Sequence, residues 1–106
     1  MQNHWPIYQK KLSQRENRNE ILCKLKALPE IERLFFAWHI IKFGWHEYGH
    51  ITDEEKKLFQ FFPLIKKNLL QFHGHHGFVT NISDYSIDPT AMKIIKNNQY
   101  LIPEIK

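Results

Sequence analysis

Apolar residues recur along most of this chain at the three- and four-residue intervals of an amphipathic helix. Start signals precede these stretches: capping boxes that open at Ser13 and Thr52, and the dipeptide Asp88-Pro89. Pro29 ends the first stretch and suits the first turn of the next helix. The pattern predicts four helices, over residues 13–28, 30–50, 53–72 and 89–98.

We therefore predict an all-α fold, a compact bundle of about four helices that forms one domain over residues 1–106. Pro63 is expected to kink the third helix because it removes a backbone donor. Residues 1–11 lack helical spacing and are expected to form an extended arm. The glycine-punctuated stretch HGHHG, residues 73–77, is expected to be an irregular loop. A hydrophobic content of 42% is enough to fill one core.

The second predicted helix, residues 30–50, is apolar on two sides when it is plotted at 100° per residue. One apolar side, which we assign to the core, consists of Leu34, Trp38, Ile41, Trp45 and Tyr48. A polar stripe lies nearly opposite and consists of Glu32, His39, His46 and His50. Three phenylalanines flank that stripe: Phe35, Phe36 and Phe43. We expect the stripe to face solvent or a partner, since a helix with two apolar sides often reserves one for an interface.

Lys and Arg exceed Asp and Glu by four, which favours acidic partners such as nucleic acid. Two lysine pairs lie ten residues apart on the third predicted helix, close to a common face. The candidate phosphate contacts are Lys56, Lys57, Lys66, Lys67, Arg15 and Arg18. Nucleic-acid binding is a possible function on this basis.

The single cysteine, Cys23, excludes an intramolecular disulfide and favours a reducing compartment. No apolar run approaches the ~18 residues of a membrane span, and the first residues lack the apolar core of a signal peptide. We expect a cytoplasmic protein with no membrane partner.

The sequence His46-Glu47-Tyr48-Gly49-His50 matches the H-E-x-x-H pattern. On a helix, residues four apart share a face, so the two histidines can bind one zinc ion while the glutamate polarises a bound water. The segment WHEYGHI resembles the active-site helix of zincin metallopeptidases. That resemblance implies that His46 and His50 are zinc ligands and that Glu47 is the general base. The third ligand is left open among three later histidines, namely His73, His75 and His76.

Two functions follow from these patterns. The first is a small, basic binding or regulatory protein, such as an inhibitor, an adaptor or a subunit, which contacts a protein partner. Its predicted partner-binding residues are Phe35, Phe36, His39 and Phe43. The alternative is a compact zinc-dependent hydrolase or zinc-binding protein built on the H-E-x-x-H segment. We expect no cofactor under the first hypothesis and zinc under the second.

Overall fold

The structure is a computed structural model that describes residues 18–105. Within that range the chain combines helices with a three-stranded antiparallel sheet, so the prediction of an all-α bundle is wrong. The helices are α1 (18–26), α2 (Glu30–Phe43), α3 (Asp53–Leu58), α4 (Phe61–Lys66) and α5 (Pro89–Asn97). The strands are β1 (Tyr48–Thr52), β2 (Leu70–His76) and β3 (Val79–Ile87). A 3-10 helix at Gln99–Leu101 follows α5.

Helix α2 ends at Phe43, seven residues before the predicted end, because Gly44 adopts a backbone conformation that is foreign to a helix. Gly44 has φ +77° and ψ −157°, while its N–H still donates to the Ile40 carbonyl at 2.8 Å. Positive φ is open to glycine at little cost. The chain then turns and continues as β1, so the H-E-x-x-H segment is a loop and a strand instead of the helix predicted over residues 30–50.

The third predicted helix, residues 53–72, is divided into α3, α4 and the first three residues of β2. The division falls at Gln60, which lies in the left-handed region with φ 54°. Pro63 is the third residue of α4 and lies in its first turn, where a missing N–H leaves no intrahelical bond unmade. The chain therefore does not kink at Pro63 within one helix. It is interrupted at Gln60, before α4 begins. Asn68, with φ 62°, then turns the chain into β2.

The three strands form a sheet in the order β1-β3-β2, with β3 at the centre. In the register of β1 with β3, His50 pairs with Asp84 and Gly49 with Tyr85. Strand β2 pairs with β3 through two irregularities, between Phe72 and Gly74 and between His75 and His76. The stretch HGHHG, predicted as a loop, thus supplies most of the second half of β2 and the turn into β3.

One face of the sheet is buried against the helices, and this inner face supplies much of the core. Its buried residues are Ile51, Leu70, Ser83, Tyr85 and Ile87. Phe35 on α2 packs over it, with its ring centroid 5.4 Å from that of Tyr85 and 6.2 Å from that of Phe61. Aromatic pairs at such distances add to the free energy gained by burying area.

The side of α2 that faces the core is the one predicted to face outward. Phe35, Phe36 and His39 have no accessible surface, and Glu32 retains 3%. The Glu32 carboxylate accepts a hydrogen bond from Lys67 Nζ at 2.5 Å, which compensates a buried charge. Ile41, predicted to be in the core, is 67% exposed. A helix apolar on two sides gives no local signal of which side is buried.

Two predicted helix starts are confirmed. Thr52 and Glu55 form both bonds of a capping box at α3, and the Asp88 side chain accepts from the Ala91 N–H at 3.0 Å at α5. Helix α5 ends one residue before its predicted end. The capping box at Ser13 and the arm at residues 1–11 lie outside the described residues.

Among residues 18–105, no helix combines the length and the hydropathy that crossing a membrane requires.

The orientation of α2 can be tested with two substitutions. Phe35→Ala is expected to lower the free energy of unfolding by about 3–5 kcal/mol, since it empties the centre of the aromatic core. Ile41→Ala should change it by less than about 0.5 kcal/mol. Urea unfolding followed by circular dichroism measures both. Equal losses, or a larger loss for Ile41→Ala, would contradict the observed packing of the helix.

Candidate functional site

The face of the sheet opposite the helices is accessible, and we call it the open face. Register and hydrogen bonds place nine residues on it: Tyr48, His50, Thr52, Gln71, His73, His76, Ile82, Asp84 and Ser86. Strand residues alternate between the two faces, so Asp84 lies on this face while its neighbours Ser83 and Tyr85 are buried. The open face is where the sheet exposes its titratable side chains.

A pocket of about 390 Å³ lies on the open face, lined by Tyr48, Gly49, His50, His73, His76, Asp84 and Tyr85. The rings of His50 and His76 stack within it, with centroids 4.8 Å apart and planes 29° apart. His76 Nδ1 is 2.6 Å from an oxygen of the Asp84 carboxylate. His73 Nε2 is 2.7 Å from the Ser86 hydroxyl oxygen. One imidazole from β1 and two from β2 thus line the same pocket as the Asp84 carboxylate.

Beneath the open face, a buried chain of hydrogen bonds ties α2 to the sheet. His39 Nε2 lies 2.6 Å from the backbone oxygen of His46, and His39 Nδ1 lies 2.5 Å from the Tyr85 hydroxyl. A carbonyl can only accept, so Nε2 carries the proton and donates. In the neutral ring Nδ1 then accepts from the Tyr85 O–H. The chain runs from Tyr85 through His39 to the loop before β1.

Both groups are held in their neutral forms. Burial lowers the pKa of His39, although its hydrogen bond to the His46 carbonyl acts in the opposite direction. Burial also raises the pKa of Tyr85 well above its usual range, and the negative charge of Glu55 adds to this effect. Neutral His39 and Tyr85 suit a dry core, where an unpaired charge would be costly.

Gly49 leaves room for this chain to form. A Cβ at position 49 would lie 2.6 Å from the Tyr85 hydroxyl oxygen and 3.1 Å from His39 Cε1. The first distance is too short for a carbon contact and the second is tight, so a side chain here would displace the Tyr85 ring. The glycine of the H-E-x-x-H segment therefore serves packing in this fold.

The H-E-x-x-H residues are not arranged as the zincin resemblance implies. His46 is an exposed loop residue, whereas His50 lies on β1 and stacks on His76. Of the three candidate third ligands, the structure brings His73 and His76 into the pocket with His50, while His75 pairs with Ser83 in the register. Within the described part of the chain, no three His, Cys, Asp or Glu side chains form a group that could hold a metal ion.

The predicted partner-binding residues are mostly inside the molecule. Phe35, Phe36 and His39 are fully buried, so they present no surface in this structure. Phe43 is partly exposed at the end of α2, and its ring lies edge-on to His50 with centroids 5.1 Å apart. Phe43 therefore borders the open face.

Some of the residues that were predicted to form a basic surface make contacts within the molecule instead. Lys67 pairs with buried Glu32, and Lys56 Nζ donates to the Asp53 carboxylate at 3.2 Å and to the Ser83 hydroxyl. Lys57 and Lys66 are exposed on separate helices, α3 and α4. Arg18 is exposed on α1, and Arg15 lies outside the described residues.

The sequence reasoning missed Gly49, Asp84 and Tyr85 as site residues. For Asp84 and Tyr85 the signal was the alternation of polar and apolar residues over Asp84 to Ile87, which is typical of a half-buried strand. Alternation alone did not show which strands would pair with it, and the pairing is what places Asp84 beside His76.

Gly49→Ala is expected to lower the free energy of unfolding by about 1–3 kcal/mol, because the added methyl group overlaps the Tyr85 ring. Tyr48→Ala is the control, since Tyr48 is on the same strand but points to the open face. Tyr48→Ala should lower the free energy of unfolding, measured by urea unfolding, by less than Gly49→Ala does. A variant as stable as the wild type or more stable would contradict the predicted overlap with Tyr85, since alanine otherwise suits a strand better than glycine does.

His39 should make stability depend on pH. The unfolded chain binds a proton at His39 near its ordinary pKa of about 6.5, whereas the folded chain resists that proton. The unfolded state therefore binds more protons in this range, and the free energy of unfolding should decrease as the pH falls from about 7 to 5. His39→Gln keeps a donor and an acceptor but does not titrate. The difference between wild type and His39→Gln should be constant above about pH 7 and decline below it. A difference that is flat from pH 5 to 8 would contradict a depressed His39 pKa.

Comparison with known proteins identifies no family for this chain. No protein-family model matches the sequence, and no curated protein or solved structure matches it significantly. The functional proposal therefore rests on the geometry of the described side chains.

Proposed function

We propose that this protein is a binding module that contacts a protein partner through the open face of its sheet. The observation that supports it most directly is the exposure of Tyr48, a large aromatic residue that lines the histidine pocket. Tyr48 is 68% exposed on β1, and Phe78 is fully exposed at the turn between β2 and β3. The proposal keeps the binding function expected from sequence and moves it from one face of α2 to the sheet.

Aromatic side chains supply much of the binding free energy at protein interfaces, since they bury a large area for few rotatable bonds. A single exposed apolar residue needs no explanation. Tyr48, however, lines the pocket, and its ring lies 6.2 Å from that of His73. Tyr48 and the imidazoles thus form one continuous surface of flat rings with polar edges, a composition suited to an interface.

The pocket offers a place for a partner's side chain. Its lining combines aromatic and imidazole rings with one carboxylate, Asp84, which is partly exposed. A concave site with a few placed polar groups confers orientation as well as affinity. A flat aromatic surface alone would provide less specificity.

The structure provides less support for the other two hypotheses, zinc-dependent hydrolysis and nucleic-acid binding. Zinc-dependent hydrolysis required a helix over residues 46–50, which form a loop and a strand. Nucleic-acid binding is less well supported, because Lys56 bonds to Ser83 and Lys67 pairs with Glu32, so neither is free to contact a phosphate. A cytoplasmic location remains part of the proposal, since the single Cys23 favours a reducing compartment.

The proposal is tested by affinity purification of the tagged chain from its source cells with quantitative mass spectrometry. A partner that binds the open face should be enriched with wild type and reduced at least tenfold with Tyr48→Thr or Phe78→Ser. Threonine keeps the strand propensity of position 48.

The matched control is Tyr100→Thr, because Tyr100 is also 68% exposed but lies on the 3-10 helix after α5. It should leave the enrichment unchanged. If Tyr100→Thr reduces the enrichment as much as Tyr48→Thr, or if no protein is enriched over a tag-only sample, the open face is not the binding surface. Thermal unfolding of each variant confirms that the fold is retained.

A further inference from the structure

We propose that the pocket on the open face binds a positively charged side chain of the protein partner, and that arginine suits it better than lysine. The side chains that carry the argument are Tyr48, His50, His73, His76 and Asp84, all of which line the pocket. The inference rests on the proposed function, because it names the chemistry of the group that the partner inserts.

The Asp84 carboxylate lies in the middle of this surface. Asp84 is on the central strand, where it pairs in the register with His50 of β1, and His76 of β2 bonds to it from the other side. Tyr48 and His73, also from β1 and β2, lie one row further along the strands with ring centroids 6.2 Å apart. Rings from both edge strands therefore border the carboxylate.

The charge of the pocket favours a cation. Among residues 18–105, no lysine or arginine lines the pocket, although Lys and Arg outnumber Asp and Glu by 15 to 11 in the whole chain. Further carboxylates flank β1 in the sequence, with Glu47 before the strand and Asp53 and Glu54 after it. Such a distribution attracts a cationic group and repels an anionic one.

Part of the Asp84 carboxylate is accessible to a ligand. Its side chain is 41% exposed, and within the described part of the chain only one of its two oxygens is bonded, to His76 Nδ1 at 2.6 Å. The second oxygen can accept from a guanidinium or ammonium N–H, a charge-assisted bond that is stronger than a neutral one. The bond to His76 also holds the carboxylate in place, so less freedom is lost on binding.

The rings supply the remaining contact surface. Tyr48 is 68% exposed, and a cation over the face of a tyrosine ring is attracted by its negative π surface. The methylene stem of arginine or lysine can cover the apolar carbons of the neighbouring rings. Arginine is favoured because its planar guanidinium stacks on flat groups and is more weakly hydrated than an ammonium. A volume of about 390 Å³ is in the range of small-ligand sites, so one such side chain fits.

Titration of the ¹⁵N-labelled full chain with acetyl-arginine-amide at about pH 7.5, where an ordinary histidine is mostly neutral, tests the site by NMR. We expect the amide signals of Tyr48, His50 and Asp84 to shift in a saturable way with a Kd of about 1 mM, as the size of the ligand allows. Acetyl-citrulline-amide has the same shape without the charge and should bind about tenfold more weakly. Equal binding of the two, or no saturable shift by about 10 mM, would overturn the proposal.

Variants assign the binding to the carboxylate. Asp84→Asn keeps an oxygen that accepts from His76 but removes the charge, and it should weaken binding of acetyl-arginine-amide by about fivefold or more. Glu54→Gln is the matched control, because Glu54 is exposed on α3 and does not line the pocket. Its effect should be less than about twofold. Equal losses in the two variants would indicate a general effect of net charge and would reject the site.

Affinity purification separates this inference from the proposed function. We expect Asp84→Asn to reduce the enrichment of the partner at least threefold, whereas Glu54→Gln should leave it unchanged. If Tyr48→Thr abolishes the enrichment and Asp84→Asn retains it in full, the open face still binds a partner but the cationic side chain is rejected. If wild type enriches no protein, the proposed function and this inference both fail.

Discussion

The hydrogen bonds of His39 to Tyr85 and to the His46 carbonyl hold the two layers of this protein in their relative positions. They connect the last turns of α2 with the central strand β3 and with the loop that leads into β1. All three elements meet in a core where an unpaired polar group would cost about 1–3 kcal/mol. Neutral His39 and Tyr85 meet that requirement, since each proton of the chain has one acceptor.

This constraint explains features that are otherwise separate. Gly44 must turn the chain sharply after α2 so that the His46 carbonyl can return to His39. Gly49 must lack a side chain so that the Tyr85 hydroxyl can reach the same imidazole. Gly44, which precedes the H-E-x-x-H segment, and Gly49, which lies within it, are therefore both explained by the packing of α2 on the sheet.

The residues of the central strand β3 alternate between the buried core and the open face. Tyr85 and Ile87 point inward and are fully buried, while Asp84 points outward and bonds to His76. Because successive strand residues face opposite sides, the position of Tyr85 in the core fixes the position of Asp84 on the open face. The pocket is thus rigidly coupled to the aromatic core beneath it, and its rings are carried on strands.

Local signals in the sequence predicted several elements well. The caps at Thr52 and Asp88 marked the starts of α3 and α5, because a capping side chain bonds to backbone only a few residues away. Residues 44–50 were wrongly predicted to be helical because the segment WHEYGHI fits both the period of a helix and the period of a strand. Tyr48 and His50 alternate with Gly49 and Ile51 as in a strand, yet His46 and His50 also repeat as on a helix. Gly44 and Gly49 disfavour a helix only weakly, and the sequence alone does not show which segment would pair with residues 48–52.

The residues alone were enough to establish the supply of apolar side chains for one core, the starts of α2, α3 and α5, the number of histidines and the lack of an intramolecular disulfide. Only the tertiary structure decided which face of α2 is buried, that β1 and β2 pair with β3, and that His50 meets His76 and not His46. The physical reason is that caps and periodicity act within one or two turns of chain. The pairing of β1 with β3 joins residues 30 to 38 positions apart, and its free energy comes from burying a face that no local pattern identifies.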